Sequence, residues 1–347
     1  MIKGQGAQIN PPNPFSKSAV VTAHWEGIDE YDSDKTSEVE IFYESPKNVL
    51  SRNSSEDIGF EYSINPYQGC EHGCIYCYAR NSHTYWGFSA GLDFERKIIV
   101  KKDVAKKFEE RILSKNWKVQ PVMLSGNTDC YQPIEREYKL TRQLLEVALK
   151  YQHPITILTK NTLILRDLDI LSALAKLHLV HVAFSITTLD EKLRLKLEPR
   201  TASAKKKLQA IEMMANAQIP VMVMNAPIIP GLNDHEIPKV IQAASDAGAS
   251  DINFTVVRLN GQVGELFKNW IVEAYADKAS KVLNQIKEMH GGKLNDSKWK
   301  ERMSGKGNYA LMINELFRKS KQRYFQDKKM PPLNVTLFRR GGNYSLF

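Results

Sequence analysis

Six short segments between residues 60 and 290 are almost continuously apolar, and helical patterns separate them. The segments are YSINPY (62–67), PVMLSG (121–126), PITILTK (154–160), LVHVAFSIT (179–187), IPVMVMNAP (219–227) and INFTVVRL (252–259). A strand that is apolar on both faces is buried on both faces, which is the condition of a parallel sheet covered by helices. The intervening patterns repeat with helical spacing. Leu140, Leu144, Val147 and Tyr151 share a face of a helix expected from Ile134 to Gln152. Leu165, Leu168, Leu171 and Ala175 mark the next, and a third is expected near 201–217. Asn233 and Glu236 are spaced as a capping pair for a helix ending near Gly248, and a last helix is expected over 266–290. Six such units predict an α/β fold, a partial (β/α)6 TIM-like barrel, better than a two-sided open sheet.

On either side of this core, expected at 61–290, lie two extensions. Residues 1–60 carry NPPNPF, the acidic Asp29, Glu30, Asp32 and Asp34, and one strand-like run from Glu38 to Tyr43. They read as an extension, not a domain, much of which either wraps the surface or stays mobile. Residues 291–347 hold 13 Lys/Arg against 4 Asp/Glu, which is the whole formal excess of +9. Arg318, Lys319, Lys321, Arg323, Lys328 and Lys329 lie in an expected basic helix, with a proline break and one strand, PPLNVTLFRR, after it. This region suits either a nucleic-acid arm or a cover over the barrel that ends in Leu346-Phe347. No apolar run reaches membrane-spanning length and no secretory leader is evident, so a cytoplasmic protein without membrane contact is expected.

Three of the four cysteines, Cys70, Cys74 and Cys77, fall within eight residues, directly after the first strand and beside Gly69 and Gly73. In a reducing compartment such clustering indicates metal rather than disulfides. A structural zinc wants four ligands, usually in paired C-x-x-C elements, and here only Cys130 or a crowded His72 is left to complete it. Three thiolates on a four-iron cluster, with one iron open, is the more economical reading.

The spacing C-x-x-x-C-x-x-C with an aromatic before the last cysteine resembles the radical S-adenosylmethionine (SAM) superfamily. The longer string INPYQGCEHGCIYCYAR, followed in order by GLDFE, SGNTDCYQPIE, LTKN, SITTLD, LEPR and APIIPGLND, is similar to its spore photoproduct lyase-related branch over about residues 60–290. The resemblance implies that Cys70, Cys74 and Cys77 hold a [4Fe–4S] cluster whose fourth iron takes SAM. It implies an electron from flavodoxin or ferredoxin, reductive cleavage of SAM, and hydrogen abstraction from a substrate by a 5′-deoxyadenosyl radical. It places Tyr76 against adenine, Ser125 and Asn127 near the SAM amine, and Lys160 with Ser185 near the SAM carboxylate. Glu198 and Arg200 suit either a helix-entry turn or the ribose.

Cys130 stands where the branch often has proline; as a weak catalytic candidate it would donate hydrogen, and otherwise it is a packing residue. Tyr78, Arg80, His83, Tyr85 and Trp86 suit either stacking on a nucleobase or cover for the cluster. The expected function is thus a lyase-like radical SAM enzyme that abstracts hydrogen from a substrate the sequence does not identify, with a nucleic acid or nucleotide as the first reading. The rival readings are radical modification of a peptide or small metabolite, and a non-catalytic metal-binding protein.

Overall fold

The computed structural model describes residues 2–15, 39–299 and 301–341. The acidic stretch at 29–34 and Leu346-Phe347 lie outside the described residues. Ten strands follow in chain order: β1 (Glu40–Tyr43), β2 (Leu50–Arg52), β3 (Tyr62–Ile64), β4 (Tyr67–Gln68), β5 (Lys97–Val100), β6 (Val122–Leu124), β7 (Ile155–Thr159), β8 (Val180–Ser185), β9 (Val221–Ile228) and β10 (Asp251–Val256). The main sheet runs in the order β10-β9-β8-β7-β6-β3-β2. Its six strands from β3 to β10 are parallel, as expected, and β2 adds an antiparallel edge to β3. The two edges do not pair, so the barrel is open. A small second sheet, β1-β5-β4, stands beside it.

Helices Val104–Leu113, Leu140–Lys150, Leu168–Lys176, Ala204–Asn216 and Ile237–Asp246 alternate with β5 to β10. Their buried residues, such as Leu144, Leu171, Ile211 and Ile241, pack with Ile157, Val182 and Val223 of the strands in one core.

Several helix boundaries depart from the pattern. The helix expected from Ile134 to Gln152 is two helices, Glu135–Tyr138 and Leu140–Lys150, divided by Lys139 in the left-handed region at φ 51°. The helix expected over 266–290 is likewise two, Val263–Ala274 and Ala276–Met289, divided at Tyr275. Asn233 and Glu236 form no capping pair. Asn233 accepts from the Ile229 N–H (2.6 Å) and donates to the Thr187 and Pro227 carbonyls (2.7 and 3.0 Å), while Glu236 accepts from the Thr188 hydroxyl. Their side chains stitch loops together at the strand ends, and those tertiary partners outcompete the local cap.

Both extensions are built into the fold. Residues 5–7 are buried, β1 pairs in parallel with β5, and β2 belongs to the main sheet, so these described parts of the amino-terminal extension are more than a surface wrap. The basic helix forms as Gly307–Phe325 and packs on helix Ile237–Asp246 and on β10. PPLNVTLFRR is not a strand. It crosses the amino-terminal ends of the barrel strands, with Asn334 N–H to His178 O (2.8 Å), Arg339 N–H to Tyr151 O (3.0 Å) and His181 Nε2–H to Pro331 O (2.7 Å). Residues 331–340 therefore lie at the end of the barrel opposite the cysteine loop, whereas residues 294–309 run beside the carboxyl end of β10, where Leu259 N–H donates to Leu294 O (3.1 Å) and Tyr309 donates to Asp234.

Candidate active site

The cysteine loop leaves β4 at the carboxyl-terminal end of the barrel. Gly69 and Gly73 both take positive φ (81° and 68°), and a side chain on Gly73 would run into Glu95 Oε2 at 2.9 Å. Only glycine gives the loop this turn without strain. The loop is then clasped from four sides. Gln132 accepts from Glu71 N–H (3.0 Å) and donates to Gly69 O (3.1 Å). Ile75 N–H donates to Leu197 O (3.0 Å) and Arg200 N–H to His72 O (3.3 Å). Fully buried Arg80 donates to Cys74 O (2.9 Å), to Ala90 O and Gly91 O, and to Glu95 Oε1 (2.5 Å). Glu95 in turn accepts from the N–H groups of Gly6 (3.0 Å) and Ala7 (2.7 Å). The amino-terminal arm, the loop and the GLDFE segment thus meet on one buried ion pair.

His72 points away from the cysteines. Its Nδ1 lies 3.3 Å from Asp129 Oδ2 and its Nε2 lies 3.3 Å from Asn161 Nδ2. Burial works against the charge on Asp129. His72, with N–H donors from Lys160 and Tyr131, still holds that carboxyl below its ordinary range.

Cys70, Cys74 and Cys77 are free thiols, the first two buried. Burial pushes all three thiols up, and each neighbouring sulfur raises Cys70 further. Such a set becomes thiolate only when a metal supplies positive charge. Among the described residues no three Cys, His, Asp or Glu side chains converge on the position of one ion. The donor set, three thiols carried by one loop, fits an iron–sulfur cluster.

A polar cluster faces this loop from the ends of β7 and β8. Lys160, one residue past β7, donates through Nζ to Ser185 Oγ (2.7 Å), Thr187 Oγ1 (3.2 Å) and Glu198 Oε1 (3.0 Å). The Tyr76 hydroxyl donates to Glu198, and Lys160 Nζ lies 5.5 Å from the Tyr76 ring centre. Lys207, on the barrel side of helix Ala204–Asn216, donates to Ser185 O (3.0 Å) and lies 3.6 Å from Glu198 Oε2. Burial opposes a charge on Glu198, but Lys160 and Lys207 hold its carboxyl far below the usual range. Burial also brings Lys207 down to about 8. The parallel register β7–β8 brings Lys160 and Ser185 together, as expected from their strand ends.

Ser125 and Asn127 take separate tasks at the end of β6. Ser125 sits at φ 72° and accepts from Cys130 N–H (2.7 Å). Asn127 donates to Gln68 Oε1 (3.2 Å) and Ser82 Oγ (2.9 Å). Cys130 is wholly buried in the main core, and its carbonyl accepts from Thr141 (2.6 Å). Of the residues after the cluster loop, Arg80 and His83 are buried, while Tyr78, Tyr85 and Trp86 are exposed.

Sequence reasoning missed Glu95 as an anchor, although its motif was legible. It also missed Lys207, which sits in a lysine run that reads as solvated surface, and the buried arm at Gln5 to Ala7.

A family model described as the radical SAM superfamily matches residues 64–244. The chain belongs to the radical SAM superfamily. Members of this superfamily use a [4Fe–4S] cluster and SAM. The fold is that of spore photoproduct lyase. One structure, of a complex with a dinucleoside spore photoproduct, superposes with TM-score 0.59 at 18% identity over 82% of this chain and 79% of the other. A variant of the same lyase with bound AdoMet and the photoproduct gives TM-score 0.60 at 17% identity over 85% and 82%. An uncharacterized protein of Mycobacterium tuberculosis H37Rv is 32% identical over 224 residues, 64% of this chain and 66% of its own length. One of Methanocaldococcus jannaschii is 30% identical over 200 residues, 58% of this chain and 72% of its own. Among the described residues of this radical SAM protein no helix is long and apolar enough to cross a membrane.

Proposed function

We propose that this protein is a cytoplasmic radical SAM enzyme that acts on a nucleic acid or nucleotide in a lyase-like reaction. When bound, the cluster and SAM supply reductive cleavage to methionine and a 5′-deoxyadenosyl radical, which abstracts hydrogen. Cys70, Cys74 and Cys77 are its three protein ligands, and flavodoxin or ferredoxin supplies the electron. Tyr76 packs on adenine with its hydroxyl fixed by Glu198. Lys160 and Ser185 place positive charge and a hydroxyl toward the SAM carboxylate, with Glu198 holding the lysine charged between turnovers. Asn127, with Ser125 shaping the turn before it, offers an oxygen to the SAM ammonium. Cys130 serves packing. The observation that carries this reading is the cysteine loop clasped at the carboxyl ends of parallel strands, facing the Tyr76–Lys160–Glu198 cluster.

Anaerobic reconstitution tests it: about four irons and four sulfides per chain are expected, with 5′-deoxyadenosine formed from SAM on reduction. Replacing Cys70, Cys74 or Cys77 by Ala abolishes both. Full SAM cleavage in any of the three variants rejects the ligand assignment. Transfer of label from an isotopically labelled oligonucleotide into 5′-deoxyadenosine separates a nucleic-acid substrate from a peptide.

A further inference from the structure

Just past β10, Arg258 stands beside the open seam of the barrel. The only hydrogen-bond contact its guanidinium makes among the described residues is Nη1 to Met303 Sδ at 3.8 Å, and its Nε is buried with no acceptor. The acid whose charge reaches it, Asp57, is already held by both Nε and Nη2 of Arg302. Two half-buried guanidiniums thus share one carboxylate. Burial first, and then the charge of Arg302, make Arg258 a weaker base than a free arginine. Leaving N–H donors buried and unmatched costs free energy that an oxyanion would return.

The segment that carries Tyr78 docks on the segment that carries Arg258: Asn81 donates to Asn260 O (2.9 Å) and accepts from Gln262 N–H (3.0 Å). The Tyr78 hydroxyl donates to Gly126 O (2.6 Å) at the end of β6, while the residue remains 55% exposed. Tyr78 directly follows Cys77, so Arg258, Tyr78 and the cysteine loop are successive neighbours from the last strand inward. An arginine fork alone suits carboxylate and phosphate equally. The exposed ring of Tyr78 favours a nucleotide over an acidic peptide, because every base offers a face to stack.

We propose that Arg258 and Tyr78 form a nucleotide subsite at the barrel mouth, with Arg258 taking a phosphodiester oxygen and Tyr78 a base. This subsite rests on the reading of the cysteine loop as the catalytic centre and names the substrate group that centre receives.

The test uses reconstituted, cluster-loaded protein and a fluorescent single-stranded oligodeoxynucleotide, with binding followed by anisotropy at two salt concentrations. Arg258→Gln is expected to weaken binding about tenfold or more and to flatten the dependence of log affinity on log salt by about one unit. Arg258→Lys, which keeps the charge without the fork, falls between the two and guards against a fold defect in the first variant. Tyr78→Leu weakens binding with the salt slope kept.

An oligonucleotide that does not bind the parent protein, or binds both Arg258 variants as well as the parent, overturns the proposal. So does an Arg258→Gln variant whose main loss is in affinity for SAM, which assigns the arginine to the SAM carboxylate. A larger loss for poly-glutamate than for the oligonucleotide gives the site to an acidic peptide and also overturns it. SAM cleavage by the parent protein is read separately. A parent that cleaves SAM but ignores the oligonucleotide sinks the subsite alone, and one that binds through Arg258 without cleaving SAM sinks the catalytic reading alone.

Discussion

Lys160 and Glu198 show how one charged residue acts through another. Lys160 spends its three N–H donors on Ser185, Thr187 and Glu198, and Glu198 also receives Tyr76. Lys160→Ala removes a charge partner without touching a sulfur. SAM binding is therefore expected to weaken with iron content intact, and an unchanged SAM titration curve rules the role out. A second residue-scale prediction concerns His153, which is wholly buried. Its Nε2 accepts from Trp117 Nε1–H (3.2 Å), so the ring proton sits on Nδ1 and meets Pro154 O (3.0 Å). That neutral form is satisfied, and burial lowers its pKa to about 4. An unfolded histidine takes its proton near pH 6.5. Between that pH and about 4 the unfolded chain binds a proton that the folded chain refuses. Stability is thus fully present above pH 6.5 and falls as pH drops, by about 1.4 kcal/mol per unit from this group. His153→Gln should flatten the stability–pH slope in that window by this amount, as read from denaturant midpoints; an unchanged slope contradicts the assignment.

Among the elements, the amino-terminal arm has the most consequence for the site. A β-carbon on Gly6 would lie 1.6 Å from Gly73 O, and one on Gly91 would lie 2.0 Å from Ile9 O. The backbone of the arm is in direct contact with the cluster loop and the GLDFE segment, which no side chain in the arm reveals. Gly6→Ala therefore pushes the arm off the loop and takes two N–H donors from Glu95. The cost is that of overpacking, about 1–3 kcal/mol. The measurable outcome is faster loss of the cluster in air, with overall helix content unchanged; a cluster lifetime equal to the parent's shows that the arm is dispensable. The split helices make a related point. Lys139 in a left-handed conformation and the break at Tyr275 leave the apolar spacing in place, so the pattern continues across a turn that only the packing reveals.

For the whole molecule, the two extensions meet at the open seam. The bidentate Asp57–Arg302 pair joins positions 245 residues apart, and Met303 O accepts from Val256 N–H (2.9 Å) along the free edge of β10. Edge strands need cover, and here the carboxy-terminal segment supplies it. Asp57→Ala is expected to lower stability by about 1 kcal/mol or more, because the pair is largely covered, and to leave Arg302 competing for any anion that Arg258 takes. The check is a denaturant midpoint shift without a change in slope. The basic helix is less free than its composition suggests. Arg318 and Lys319 pair with Glu315, Lys321 pairs with Asp251 (2.6 Å), and Lys328 donates to Ser245 O (2.5 Å).

What the sequence determined by itself was periodic or contiguous: six parallel strands, their helices, and a three-cysteine loop in a known spacing. Period and spacing are properties of neighbours along the chain, and burial of apolar faces converts them directly into structure. Lys160 and Ser185 were legible for the same reason, because strand ends in a parallel sheet fall at one level. The tertiary structure decided everything that depended on distant backbone. It set Glu95 under the arm, turned Lys207 inward from a lysine run, sent His72 to Asp129, and took Asn233 and Glu236 from a cap into loop contacts. It also left Arg258 short of a carboxylate and carried residues 331–340 to the end of the barrel away from the site. Each of these rests on a hydrogen bond or ion pair between residues far apart in the chain, where no local pattern records the partner.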